Sequence, residues 1–367
     1  MARYDETARQ ALIVAWQASD HRCGKRLKAL LPVLMPALRR HGHVSLVPEA
    51  DSSLLRVSAA TIDRLLRDVR RAELARKRSV LPRLHPAELE WFQGARFGRP
   101  GHLGLHLTAQ YFGRASGSQV QMLGVIDAHT GWTGRAALHS SEAAEVGSAL
   151  SILVDGLPFR ALTVSLSAGV AGFEGAVGAY CASRQVEVLY PRSGRRYEEQ
   201  VRPLSALSAI PAAREALAEF YAASRLYMNF FSGQPGRTDT RESETPALRV
   251  LASAHVPESE KPLLRSLAET LDPLELLSRI RALHAHLRIL SAGFLPVGMR
   301  HWRTHRNAFE SALPMLELWQ AEDPSQSSLA LLNRLKRARP GVYREGQLRS
   351  LQRQLKLLRE RSKPPQA

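Results

Sequence analysis

Carboxylates are scarce in the stretch of this chain that reads most like a sheet. Between Glu90 and Glu142, Asp127 is the only Asp or Glu. A phosphoryl-transfer centre built on hard divalent cations needs several anionic oxygens close together. Asp127 stands beside Thr130 and Gly131, where an Asp side chain commonly folds back on the amides of its own turn, and its position favours that turn role. His106, His129 and His139 could offer imidazoles to a transition metal. Their spacing follows no recognised ligand signature, and separated histidines more often serve as hydrogen-bonding residues. No Gly-x-Ser-x-Gly elbow joins a strand to a helix, so a Ser-His-acid hydrolase has no nucleophile. Cys23 and Cys181 lie far apart and match no metal spacing, which predicts two reduced thiols. The abundant chemistry is cationic: 51 Lys and Arg against 34 Asp and Glu give a formal charge of +17 and a pI near 10.6. Such a surface attracts polyanions, and double-stranded DNA is the expected partner.

The elements that would carry this charge fall into four stretches. Residues 1–78 read as helical. Apolar Ala11, Val14 and Ala15 are followed by Leu27, Leu30, Leu31, Leu34 and Leu38, and a third helix begins near Ser58, a good N-cap residue. That third helix carries Ile62, Leu65, Leu66 and Val69 on one stripe and Arg64, Arg67, Arg70 and Arg71 elsewhere. Three helices ending in an Arg-lined one make a helix-turn-helix region whose last helix would enter the major groove; an ordinary solvated face is the competing reading. Residues 79–101, preceded by Arg76-Lys77-Arg78 and broken by Pro and Gly, read as a basic linker.

Across 102–232 the pattern alternates. Strands are expected over Leu103–Phe112, Gln119–Ile126, Trp132–Leu138, Ala161–Leu166 and Val186–Leu189. Helices are expected over Glu142–Leu153, Phe173–Ser183 and Arg214–Phe231. The region 246–367 is helical again and ends in a basic unit: Ser327–Arg337, a turn at Pro340-Gly341, then Glu345–Arg361. This last helix sets Leu348, Leu351, Leu355 and Leu358 on a docking stripe and leaves cations including Arg349 and Arg353 for DNA, or the helix for another subunit. No apolar run approaches the roughly 20 residues of a membrane span, and Met1 leads directly into polar Ala2-Arg3-Tyr4-Asp5-Glu6. A cytoplasmic, nucleoid-associated bacterial protein with no membrane partner is expected.

Three runs carry a resemblance: Gly104-Leu105-His106-Leu107-Thr108-Ala109-Gln110, Val125-Ile126-Asp127-Ala128-His129-Thr130-Gly131-Trp132, and Arg160-Ala161-Leu162-Thr163-Val164-Ser165-Leu166-Ser167. They resemble the integrase-core (DDE, RNase H-like) transposases of bacterial insertion sequences. Further runs in the same order extend the resemblance over nearly the whole chain, among them Val57-Ser58-Ala59-Ala60-Thr61-Ile62-Asp63-Arg64 and Gly346-Gln347-Leu348-Arg349-Ser350-Leu351. The resemblance implies an α/β core of RNase H-like type, a mixed five-stranded sheet with flanking helices, between an all-α N-terminal helix-turn-helix region and an α-helical C-terminal region.

It also implies a catalytic triad with an Asp at the place of His106, an Asp at the place of Ser165 and a Glu at Glu199. Only Glu199, in Tyr197-Glu198-Glu199-Gln200, keeps the family residue, and Pro203 follows where the family has a helix. Imidazole is a poor Mg²⁺ ligand and a serine hydroxyl carries no charge. The expectation is therefore a transposase-like DNA-binding protein without catalysis and without a cofactor, Mg²⁺ being needed only if the core is active. It would bind mobile-element ends, as a homo-oligomer or mixed with an active relative. A recombinase with displaced acidic ligands, a scaffold that does not touch DNA and a decayed remnant stay open as alternatives.

Overall fold

In the computed structural model of the chain, the described residues are 4–73, 79–82, 97–113, 119–166, 168–190, 206–232, 244–292, 309, 312–323, 326–338, 343, 347–348, 351–352 and 354–355. They fall into two compact units, residues 1–295 and 296–367.

The first unit opens with five helices: α1 Glu6–Ala18, α2 Gly24–Arg40, α3 Pro48–Leu55, α4 Ala59–Leu65 and α5 Arg67–Glu73. Asp5 caps α1 by accepting from the Ala8 amide at 2.8 Å, and Ser58 caps α4 by accepting from Thr61 at 3.1 Å, each satisfying an N–H that has no partner inside its helix. The single third helix expected from Ser58 onward is broken. Leu66, fully buried with φ −93° and ψ 0°, closes α4, and α5 restarts at Arg67. Contacts of Arg70 accompany the break: it ion-pairs with Asp63, donates to the Arg22 carbonyl at 3.3 Å and lies 5.7 Å from the Trp16 ring.

The sheet follows, with β1 His102–Tyr111, β2 Gln119–Asp127, β3 Thr133–Ala137, β4 Thr163–Leu166 and β5 Glu187–Leu189 in the order β3-β2-β1-β4-β5. β1 and β2, and β2 and β3, run antiparallel; β4 lies parallel to β1, and β5 parallel to β4. The two parallel steps need crossovers, and helices α6 Ala143–Val154 and α7 Glu174–Ser183 supply them. Side chains alternate across the sheet. Leu103, Leu105, Leu107, Val125, Val164 and Leu166 share one face, which packs on α6 and α7. The opposite face carries His102, Gly104, His106, Thr108, Thr133, Arg135, Thr163 and Ser165.

Helix α8, Pro211–Phe230, crosses this second face at the β3 side. Its Tyr221 hydroxyl donates to Gln110 Oε1 at 3.1 Å, and its Asn229 amide takes both outward groups of Thr133: Thr133 N–H donates to Oδ1 at 2.9 Å and Nδ2 donates to Thr133 O at 2.8 Å. An edge strand is thereby closed by one side chain. Three more helices complete the unit, α9 Pro246–Ala252, α10 Lys261–Thr270 and α11 Pro273–Ala292. Contacts from α8 and α11 bind the N-terminal helices to the sheet: the Tyr227 hydroxyl donates to Ala18 O at 2.7 Å, Arg281 pairs with Asp20 at 3.1 Å and His43 meets Asp272 at 2.6 Å.

The second unit has helices α12 Leu313–Glu322 and α13 Ser328–Ala338. Its own apolar core joins Phe309, Leu316, Trp319, Leu331, Leu332, Leu335, Tyr343, Leu351 and Leu355. Leu351 and Leu355 are buried and Leu348 packs against them, as the leucine stripe of the last segment predicts. Among the described residues, no helix is long and apolar enough to cross a membrane.

Candidate functional site

The sheet register decides what lies at the positions the resemblance singled out. Ser165 on β4 pairs with Gly104 on β1, and His106 follows two residues along, on the same face. The triad positions His106 and Ser165 are therefore neighbours. His106 is 3% exposed, and its pair on β2 is Gly124, which in turn pairs with Arg135 on β3. The imidazole lies across Gly124. A Cβ built there would sit 2.2 Å from His106 Nε2, so glycine is what lets the ring occupy the space. One row across the sheet thus runs His106, Gly124 and Arg135, and the Arg135 side chain leads away to Met228 Sδ on α8 at 3.5 Å.

Divalent Mg²⁺ does not fit this row. It requires anionic oxygens in a tight octahedron, whereas His106 offers a nitrogen that cannot bridge two ions and Ser165 a neutral hydroxyl. Among the described residues, no three of His, Cys, Asp and Glu are grouped so as to hold a metal. Glu199 lies outside the described residues, as do Arg349 and Arg353.

The strand ends beside the row are built from neutral polar groups. His102 Nδ1 meets Thr163 Oγ1 at 2.9 Å, and its ring stacks on Phe97 at 4.0 Å between centroids. Burial holds the His102 imidazole below its usual pKa, against the opposing pull of Asp127. Asp127 is fully buried and structural: its carboxylate accepts from Gly101 N–H (2.8 Å), His129 N–H (3.1 Å), Thr130 N–H (2.7 Å) and Thr130 Oγ1 (2.7 Å). Burial, the largest influence, raises its pKa, and these donors pull the other way. The turn role read from sequence is the role it has.

On the N-terminal helices, Arg64, Arg67 and Arg71 are exposed, while Arg70 is partly buried and turned onto Asp63 and Trp16. Arg70 holds the helices together; the other three are available to solvent-borne partners. α3 and α4 are joined by the three residues Arg56-Val57-Ser58, and each packs on α2. Sequence reasoning missed a second cationic group. The amide of Gly24 donates to Asp63 Oδ1 at 2.9 Å, and a Cβ on Gly24 would lie 2.6 Å from Ala59 O. The start of α2 therefore lies against α4 and brings exposed Lys25, Arg26 and Lys28 beside the Arg-bearing helices. A glycine followed by Lys-Arg-x-Lys is a signal that could have been noticed, but its neighbour 39 residues away could not.

The geometry defines an α/β protein whose five-stranded mixed sheet is flanked by helices, with separate N- and C-terminal helical regions and a neutral-to-cationic row at its centre. Against known proteins, it is 33% identical over 272 residues to y4rM, an uncharacterized protein of Sinorhizobium fredii, a match covering 70% of this chain and 76% of that one. The chain belongs to the y4rM family. Residues 313–362 match the family model of the Y4rL C-terminal three-helix bundle domain. That stretch contains α12, α13 and the segment whose leucines complete the core of the second unit.

Proposed function

We propose that this protein is a DNA-binding member of the transposase lineage, built on an RNase H-like, integrase-type core that does not carry out metal-dependent strand transfer. The carrying observation is the strand order β3-β2-β1-β4-β5, with β4 parallel beside β1. It is combined with an imidazole, that of His106, at the place where the transposases this chain resembles keep their bridging acid. This supports descent from a nuclease-type fold and a loss of the donors that its chemistry requires. DNA is engaged by the helix-turn-helix formed by α3 and α4 and by the cations of α2, α4 and α5. The protein acts by occupying mobile-element ends or sites descended from them, alone or in mixed oligomers with an active relative, in the bacterial cytoplasm.

The test is binding and cleavage on the same samples of duplex DNA carrying the ends of related elements, with Mg²⁺ and with Mn²⁺. Binding is expected to weaken as salt rises, with log K falling by about 0.9 per phosphate contact for each decade of salt, and no strand is cut. Replacing Arg64, Arg67 and Arg71 together by Gln should flatten that slope by about two to three contacts' worth. Salt-independent binding would overturn the DNA reading. Metal-dependent nicking lost on Glu199→Ala would overturn the inactive reading.

A further inference from the structure

We propose that the cleft between β3, α6 and α8 is a binding site for a small organic carboxylate carried on an apolar body. The cleft has a volume of ≈ 250 Å³, below the roughly 300–1,000 Å³ of pockets that take drug-sized ligands, so its occupant is small.

The outer edge of β3 forms the floor. Thr133 turns its N–H and C=O outward to Asn229, whereas the Leu138 N–H turns inward to Gln121 O at 2.9 Å. Alternation along an antiparallel strand then turns the N–H and C=O of Ala137 outward as well. Asn229 closes the edge at Thr133, and the cleft begins two residues further on, where Arg135, Ala136 and Ala137 line it. The walls are small: Ala149 from α6, and Ala218 and Ala222 from α8. Ile152, 58% exposed, stands at the mouth. A flat apolar body fits between alanine walls and covers part of that isoleucine.

The charge of the lining selects an anion. The lining holds two arginines, Arg135 and Arg225, against one carboxylate, Glu145, whose Oε1 already accepts from the His139 amide at 3.0 Å; Arg135 Nη1 itself donates to Met228 Sδ at 3.5 Å. Arg225 Nη1 donates to the Ile152 carbonyl near the end of α6 at 3.4 Å, which uses one of its five donors. His139 Nδ1 is buried and has no hydrogen-bond partner among the described residues. Burial lowers the pKa of Arg225, the direction that a nearby anion would reverse. Apolar walls around a cationic excess focus positive potential, and guanidinium binds carboxylate through paired N–H donors.

Benzoate is the probe, titrated into the full chain by calorimetry. Benzyl alcohol serves as the neutral comparison and sulfate as the anion without an apolar body. Benzoate should saturate one site and bind at least about tenfold more tightly than either comparison, as a charge-assisted hydrogen bond allows. Ala222→Leu fills the cleft from an exposed helix position and should weaken benzoate at least about tenfold, with Arg225→Met doing the same by removing the charge. Absence of saturable benzoate binding overturns the proposal. So does benzyl alcohol or sulfate binding as tightly as benzoate, or wild-type affinity in both variants.

Discussion

Gly124 provides the sharpest check on how the sheet centre is filled. In Gly124→Ala the new Cβ would stand 2.2 Å from His106 Nε2, 2.9 Å from Cε1 and 3.0 Å from Cδ2, where unstrained contacts of this kind need about 3.5 Å. The ring has to swing away by an ångström or more inside a site where it is 3% exposed. Overpacking of this size costs about 1–3 kcal/mol. For a unit of this size that is a fall in Tm of roughly 2–4 °C per kcal/mol. His106→Ala should cost about 2–3 kcal/mol by leaving a buried void. In the double variant the alanine methyl of position 124 enters the vacated space, so the two costs should not add. A coupling of at least about 1 kcal/mol is expected, well outside the ~0.5 kcal/mol scatter of independent sites. Thermal unfolding of the four proteins, followed by circular dichroism, measures it. Additive losses, or a Gly124→Ala protein as stable as the parent, would mean that the imidazole is not stacked across Gly124, and the argument against a metal in that row would lose its footing.

Asn229→Ala strips both partners from the buried backbone of Thr133 and should cost roughly 2–5 kcal/mol; a loss under 1 kcal/mol in urea denaturation would show that the β3 edge is not closed by that amide. Arg70→Met should lower the Tm while leaving the salt slope of DNA binding nearly unchanged, and Arg67→Met should do the reverse; equal behaviour of the two would contradict their different placements. For Asp272, burial pushes the carboxyl up, but His43 and the amides of Leu274 and Glu275 outweigh it and the pKa is lowered. Its contribution is therefore complete above the unfolded value of about 3.9 and is lost as pH falls through the lower folded value. The stability difference between the parent and Asp272→Asn, less than about 1 kcal/mol at this partly exposed site, should shrink below pH ~4, and a difference that grows there would refute the sign.

Local chemistry was legible in the sequence and long-range register was not. Leu103, Leu105 and Leu107 alternate with polar partners and mark β1 to within a residue of its observed span, His102–Tyr111. Asp127, Thr130 and Gly131 declare their turn because all the bonds but one that fix the Asp127 carboxylate come from within three residues. Ser58 announces a helix start for the same reason. The break at Leu66 was hidden: Ile62, Leu65, Leu66 and Val69 make an uninterrupted stripe, and it is the reach of Arg70 back to Asp63 and Arg22 that accompanies the division. The row His106–Gly124–Arg135 was equally hidden, since it depends on two strand registers that a one-residue slip would have turned to the opposite face. Residues 1–295 form one compact unit, so the helices that begin at Pro246 belong with the sheet up to that point. Arg281 with Asp20 and His43 with Asp272, each joining residues more than 200 apart, are the kind of contact no periodicity reveals.

Under the proposed descent from an integrase-type core, the same row would account for a loss of acids without a loss of fold. Carboxylates gathered for a metal repel one another when no metal is bound, so an apo site built from them works against the folded state. An imidazole that fills the space over Gly124 would remove that repulsion and bury its own surface against the sheet. On that proposed reading, stability favours the replacement once selection for cleavage is relaxed. The exposed cations of α2, α4 and α5 are under no such pressure, because they stand on solvent-facing helix surfaces whose loss or retention costs the fold little. On the proposed reading, their exposure together with a buried imidazole at the place of the bridging acid is what favours binding without cutting.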